Sequence, residues 1–301
     1  MSSFRDDRVA GSEDVASAFL AELEHWIGAN DSPTAVALRD ALLSWLRDAQ
    51  AAQPTLALVH RLAARAFDVA EAGVARGDRA VDLRRALAES CAAERADLAT
   101  TRRGVVTRAL ELVGGRGAWI ATLSHSGMVR DAFFAAHDAG REPRALVAES
   151  RPRCEGRALA AALAARGIPV WLVVDAALPL VLSQAQQLWI GADAVTELGV
   201  LNKVGSFAAA LAAREHSVPA YALASRRKFL PASTGALKIE EMSPAEVWEE
   251  APPAVRPRNV YFELVPIQLL RGVVVEDAVL PPGEASQLAR ERPLPGPLAA
   301  G

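Results

Sequence analysis

From Ser12 to about Leu112 the apolar residues recur at helical spacing without a break. Val15, Phe19, Leu20, Leu23, Trp26 and Ile27 fall on one face of a first helix, which Ser12 is placed to cap and which carries Glu13 and Asp14 in its opening turn. A second helix begins after Ser32-Pro33 and turns Val36, Leu38, Leu42, Leu43, Trp45 and Leu46 inward, proline being suited to a first turn. A third follows Gln53-Pro54-Thr55, and a long Ala/Arg-rich stretch from Asp82 onward completes the set. The pattern predicts an all-helical domain over residues 1–113.

Gly114, Gly115 and Gly117 mark a change of period. Beyond them, strands are predicted at 118–123, 145–149, 170–175, 188–193 and 220–225, alternating with helices at 129–139, 156–166, 178–186 and 205–216. Several of these strands are apolar on successive residues, as strands covered on both faces are, so the fold class is α/β with a parallel sheet over 114–301. The stretch after Pro281, rich in Pro, Gly and Ala, reads as a loose tail.

Composition narrows the function classes. A chain of 301 residues, 51% hydrophobic, is long enough for two packed units, yet no stretch approaches the roughly 18 apolar residues that a membrane span needs. The polar start MSSFRDDRVAG lacks the apolar core of a secretory signal, so a cytoplasmic protein without membrane contact is expected. A net charge of −3 removes the electrostatic argument for a nucleic-acid binder, so no direct nucleic-acid binding is expected. The two cysteines, Cys91 and Cys154, are far apart and support neither a disulfide framework nor a zinc site. No GxGxxG fingerprint appears, and neither a metal nor a cofactor is expected. Lysine is scarce, with only Lys203, Lys228 and Lys238.

In open α/β sheets ligands bind beyond the carboxyl ends of the strands. Three polar clusters stand there. Ser124-His125-Ser126-Gly127 either offers free backbone N–H groups to a phosphate or simply caps a helix. Glu149-Ser150-Arg151-Pro152-Arg153, with Glu155-Gly156-Arg157 after it, is either a second rim of the crevice or a surface charge run. Gly191-Ala192-Asp193 precedes Asn202-Lys203-Val204-Gly205-Ser206, so a carboxylate and an ammonium at a helix start converge, as a ligand site or as a structural ion pair.

Four ordered segments make the chain recognisable: ESRPRCEGRALAAALAARGIPVWLVVDAA, WIGADAV, GVLNKVGSFAAALAAREHSVPAYALASRRKF and NVYFELVP, with QPTLALVHRLA extending the likeness weakly into the helical part. They closely resemble the family that joins the alpha, beta and delta subunits of translation initiation factor 2B to the isomerases of ribose-1,5-bisphosphate and methylthioribose-1-phosphate. The resemblance implies a helical N-terminal domain, a Rossmann-like C-terminal domain, and a homodimer or larger oligomer, to which the apolar segments NVYFELVP and RGVVVED would contribute.

In the isomerases the first cluster ends in a cysteine, Thr-His-Cys, that works with the aspartate of Gly-Ala-Asp. Here the motif is Ser124-His125-Ser126, similar to the Thr-His-Ser of initiation factor 2B alpha subunits, while the aspartate is kept as Asp193. A serine hydroxyl holds its proton far more firmly than a thiol. Three phosphate-holding positions also differ: Gln53 replaces an arginine, Glu155 a glutamine, and Ala10-Gly11-Ser12 an Arg-Gly-Ala. A glutamate at 155 repels phosphate unless its charge is paired. The resemblance leaves Asp193 and Ser126 in the catalytic positions and His125, Arg151, Asn202, Lys203 and Lys228 as ligand contacts. Two readings follow: a binding or regulatory protein that recognises a phosphorylated sugar or nucleotide, and an aldose–ketose isomerase in which Ser126 takes the cysteine's place.

Overall fold

The computed structural model describes residues 3–7, 11–234 and 238–299. Four helices come first: α1 (Ser12–Ala29), α2 (Ala35–Ala52), α3 (Ala57–Arg76) and α4 (Ala80–Leu112). Val15, Phe19, Leu20, Leu23 and Ile27 of α1, and Leu38, Leu42 and Leu46 of α2, are buried as the periodicity predicts; Val36 is exposed instead. Gly11 rather than Ser12 caps α1, and Thr34 caps α2 by accepting the Ala37 N–H at 3.1 Å. Ser12 is freed for another contact, described below.

The α/β region contains β1 (Trp119–Leu123), α5 (Gly127–Asp138), β2 (Arg144–Ala148), α6 (Glu155–Ala165), β3 (Val170–Val173), α7 (Leu178–Val181), β4 (Gln187–Ile190), β5 (Ala194–Val195), β6 (Gly199–Lys203), α8 (Ser206–Glu215), β7 (Ala220–Leu223), β8 (Phe262–Pro266), β9 (Gly272–Val274) and β10 (Val279–Leu280). Two helices follow, α9 (Pro282–Arg290) and α10 (Gly296–Ala299). The main sheet runs β10-β9-β7-β4-β1-β2-β3, parallel except for β10. Its central strands are buried on both faces, which explains their unbroken apolar runs.

Four sequence expectations change. The helix expected over 178–186 is broken into α7 and two flanking 3₁₀ turns. A three-stranded antiparallel sheet, β5-β6-β8, stands where no second sheet is expected. In consequence Lys203 ends strand β6 instead of opening a helix. The stretch after Pro281 is no loose tail: α9 buries Ala285 and Ala289, and Leu294 and Leu298 complete the core of the N-terminal helices. Those helices also receive Ala194, Leu201 and Leu230, so the helical layer packs directly on the strand ends. Likewise the apolar residues of NVYFELVP and RGVVVED are largely consumed inside the chain, with Val265, Val273, Val274 and Val275 fully buried.

Candidate functional site

The strand order reverses between β1 and β4: β1 leads to β2 on one side, and β4 pairs with β7 on the other. This switch point opens a crevice beyond the carboxyl ends of those two strands. Ser124-His125-Ser126 leaves β1 there and Gly191-Ala192-Asp193 leaves β4. Gly191 permits the approach, since a Cβ on it would lie 2.9 Å from Ser126 Cβ and 3.1 Å from Asn202 Oδ1. The helical layer closes the top, where the Ala57 N–H donates to the Asp193 carbonyl at 3.0 Å. What remains is a cavity lined by His125, Ser126, Asp193, Asn202 and Lys203 together with Glu13, Gln53, Glu155 and Tyr261.

Five of the seven residues singled out in the sequence therefore meet in one cavity. Lys228 lies beside it, fully buried, its Nζ donating to Ser12 Oγ at 2.7 Å and to the Ala192 carbonyl at 2.8 Å and pairing with Glu13 Oε1 at 2.6 Å. It fastens the start of α1 to the end of β4. Arg151 falls outside the cavity: it is exposed, and its guanidinium reaches the Glu246 carbonyl at 3.4 Å. The reason is local, because its own N–H and that of Ser150 both donate to the Asp175 carboxylate at 2.7 Å, which turns the loop outward from the crevice.

Lys203 is enclosed on every side. Its Nζ donates to Glu155 Oε1 at 2.9 Å and sits 4.6 Å from the centre of the Tyr261 ring, a cation–π distance. Glu155 opens α6, which crosses β2 so closely that a Cβ on the next residue, Gly156, would fall 1.9 Å from the Ala148 carbonyl oxygen. Any side chain there would push Glu155 off Lys203. The start of α8 is also occupied, since Glu263 Oε1 accepts the Gly205 and Phe207 N–H groups at 2.7 and 2.8 Å. Asn202 is held by donating to Ser206 Oγ at 2.8 Å.

Ser126 is the N-cap of α5, its Oγ accepting the Val129 N–H at 3.4 Å. Gln53, in the position where the sequence comparison expects an arginine, donates to the carbonyls of Phe4 at 2.6 Å and Asp7 at 2.8 Å and so ties the N-terminal segment over the cleft. The Ala10 position of the expected Arg-Gly-Ala site lies outside the described residues.

Burial, opposed by Lys228 and Lys203 and reinforced by Glu13, pushes the Asp193 carboxyl up to about 6. Glu13 goes the other way: burial would raise it, but the charge and hydrogen bond of Lys228 outweigh that and hold it below the usual carboxylate range. Burial, with the Arg130 charge, lowers the His125 pKa from its ordinary value. Among the described residues, Glu155 Oε2 and His125 Nε2 are buried in the site with no hydrogen-bond partner, and Glu13 Oε1 has only its ion pair with Lys228. Sequence reasoning missed Glu13, Tyr261 and Glu263. Glu13 was visible only as a helix-start acid, and the other two only as members of the segment NVYFELVP.

Comparison with known proteins gives a consistent picture. The profile of the Initiation factor 2 subunit family matches residues 8–282. The ribose 1,5-bisphosphate isomerase of Pyrococcus furiosus is 31% identical over 199 residues, 61% of each chain. The methylthioribose-1-phosphate isomerase of Acidiphilium cryptum is 31% identical over 260 residues, 69% of each. The chain thus spans about six-tenths of the length of the first of these curated relatives. The crystal structure of the translation initiation factor eIF-2B of Pyrococcus horikoshii OT3 superposes with a TM-score of 0.80 at 24% identity, covering 93% of this chain and 94% of that one. No helix among the described residues is long and apolar enough to cross a membrane. With a family profile matched along nearly its whole length, a helical layer over a mostly parallel sheet, and the Ser-His-Ser and Gly-Ala-Asp motifs meeting at the switch point, this chain belongs to the initiation factor 2 subunit family.

Proposed function

We propose that this chain is a ligand-recognising, regulatory member of its family, in which residues 1–113 form a helical domain closing a sugar or nucleotide site on the α/β domain 114–301. The observation that carries the reading is the state of the two lysines: each is already matched by a buried carboxylate, Lys203 by Glu155 and Lys228 by Glu13. An enzyme that must stabilise the developing charge of an enediol needs cations aimed at substrate, not at its own walls. Ser126 points the same way, because its hydroxyl serves as a helix cap and no base among the described residues is hydrogen-bonded to it.

A second reading is favoured by Asp193, whose carboxyl, pushed up to about 6, is matched to proton transfer near neutral pH, and by the isomerase names of the similar proteins. In it Asp193 passes a proton during ring opening and enediol formation. The two are separated by incubating purified protein with ribose-1,5-bisphosphate and methylthioribose-1-phosphate. No turnover is expected. A wild-type rate that vanishes in both Asp193→Asn and Ser126→Ala would establish the isomerase instead.

The protein is further read as cytoplasmic and at least a homodimer. Support for association comes from the edge strand β3 and the α7 turn, where Trp171, Val174 and Leu180 are 47%, 58% and 77% exposed. A monomer by light scattering at micromolar concentration would contradict it.

A further inference from the structure

We infer that Glu155 is a specificity-determining residue that closes the Lys203 end of the cleft to phosphate and fits it to an uncharged polyol, a free sugar or nucleoside. The inference rests on the reading of the cavity as a sugar site and departs from the sequence expectation at the phosphate. Both lysines at the cleft, and the helix start next to Lys203, are already matched by carboxylates of the chain itself. Glu155 holds Lys203, Glu13 holds Lys228, and Glu263 occupies the amides at the start of α8. Asp193 adds a further carboxylate to the lining. A phosphate dianion entering here must break a buried ion pair and then face the carboxylate it displaced.

The unpartnered atoms indicate what fits instead. Glu155 is 7% exposed and lines the cavity, and its Oε2 has no hydrogen-bond partner among the described residues. A buried carboxylate oxygen accepts hydrogen bonds and does not donate them, so its natural complement is a hydroxyl or amine hydrogen. His125 Nε2 lies buried in the same cavity, without a partner among the described residues. Glu155, Asp193 and the Asn202 side-chain carbonyl make the lining rich in acceptors, and the His125 nitrogen accepts or donates according to its tautomer, a mixture that the several hydroxyls of a sugar ring can meet. Leaving such atoms unsatisfied is costly, and a polyol satisfies them where a phosphate oxygen, itself an acceptor, does not.

The test titrates the full chain, as wild type, Glu155→Gln and Glu155→Ala, with inorganic phosphate and with D-ribose, by calorimetry and thermal shift. In the wild type ribose is expected to bind more tightly than phosphate. In Glu155→Gln the freed Lys203 is expected to bind phosphate at least about tenfold more tightly than the wild type does. Glu155→Ala, which leaves room for water beside Lys203, serves if the glutamine variant does not fold. Phosphate affinity that is the same in the wild type and the folded variants would overturn the inference, as would a wild type that prefers phosphate to ribose. A phosphate gain in the variants with no ribose response in any protein would refute the sugar reading while upholding closure by Glu155.

Discussion

Lys203 Nζ lies 2.9 Å from Glu155 Oε1, joining the end of β6 to the start of α6 across the cleft, with both side chains nearly sealed from solvent. Removing one partner of a buried pair leaves the other charge uncompensated, which typically costs about 3–5 kcal/mol. Lys203→Ala is therefore expected to destabilise the protein by roughly that amount in urea titration. Replacing both, as Lys203→Met with Glu155→Leu, is expected to recover most of the loss, because an apolar pair carries no desolvation penalty. A double variant no more stable than Lys203→Ala would show that the pair is not the source.

Lys228 couples the helical layer to the sheet through Glu13, Ser12 and the Ala192 carbonyl. Lys228→Met is expected to cost at least about 3 kcal/mol and to raise hydrogen exchange at the start of α1 more than in the central strands. Uniform exchange across the molecule would show that the lysine is not the fastening point.

Asp193 has a folded-state pKa near 6 against an ordinary value of 3.8. The folded state thus holds the proton more tightly than the unfolded chain. Its contribution is fully present below about pH 4 and is lost as pH rises through 6. Asp193→Asn, which cannot ionise, is expected to be about 1–2 kcal/mol more stable than the wild type at pH 7.5 and equal to it near pH 4, the figure being reduced for the residue's partial exposure to the cavity. Equal stability at both pH values in urea titrations would remove the carboxylate as the titrating group.

His60 acts in the opposite sense. It is buried in α3, its ring nitrogens 3.0 Å from Gln50 Nε2 and 3.2 Å from the Pro54 carbonyl, and burial lowers its pKa to about 4. Its contribution is present above the ordinary value of 6.5 and is lost as pH falls toward 4. His60→Gln is expected to be less stable than the wild type at pH 7.5 and to narrow that gap by about 2–3 kcal/mol at pH 4.5. A gap independent of pH would refute the assignment.

Ser126→Ala removes a long capping bond and is expected to cost about 0.5–1 kcal/mol, read from the urea midpoint. Ser126→Cys is expected to leave the protein without isomerase activity, and adding Gln53→Arg to release the segment over the cleft that Gln53 ties through the Phe4 and Asp7 carbonyls. Measurable turnover in Ser126→Cys alone would show that only the thiol was missing.

Periodicity alone determined the four opening helices and five of the parallel strands to within a few residues, because helix faces must be apolar at fixed spacings and the central strands β1, β2, β4 and β7 are covered on both faces, whereas β3 is an apolar edge strand. The positions of Ser126 and Asp193 beyond two strands were legible for the same reason. What only the tertiary structure decided is which charges meet. Glu155 and Lys203 are 48 residues apart, Glu13 and Lys228 more than 200, and Glu263 reaches α8 from a strand that pairs antiparallel with β6. Nothing in a local pattern distinguishes an acid that caps its own helix from one that neutralises a distant lysine, because the pairing energy exists only once the fold has removed both groups from water. The same applies to the last helices, whose Pro- and Gly-rich composition resembles a tail until Leu294 and Leu298 find the gap left in the helical core.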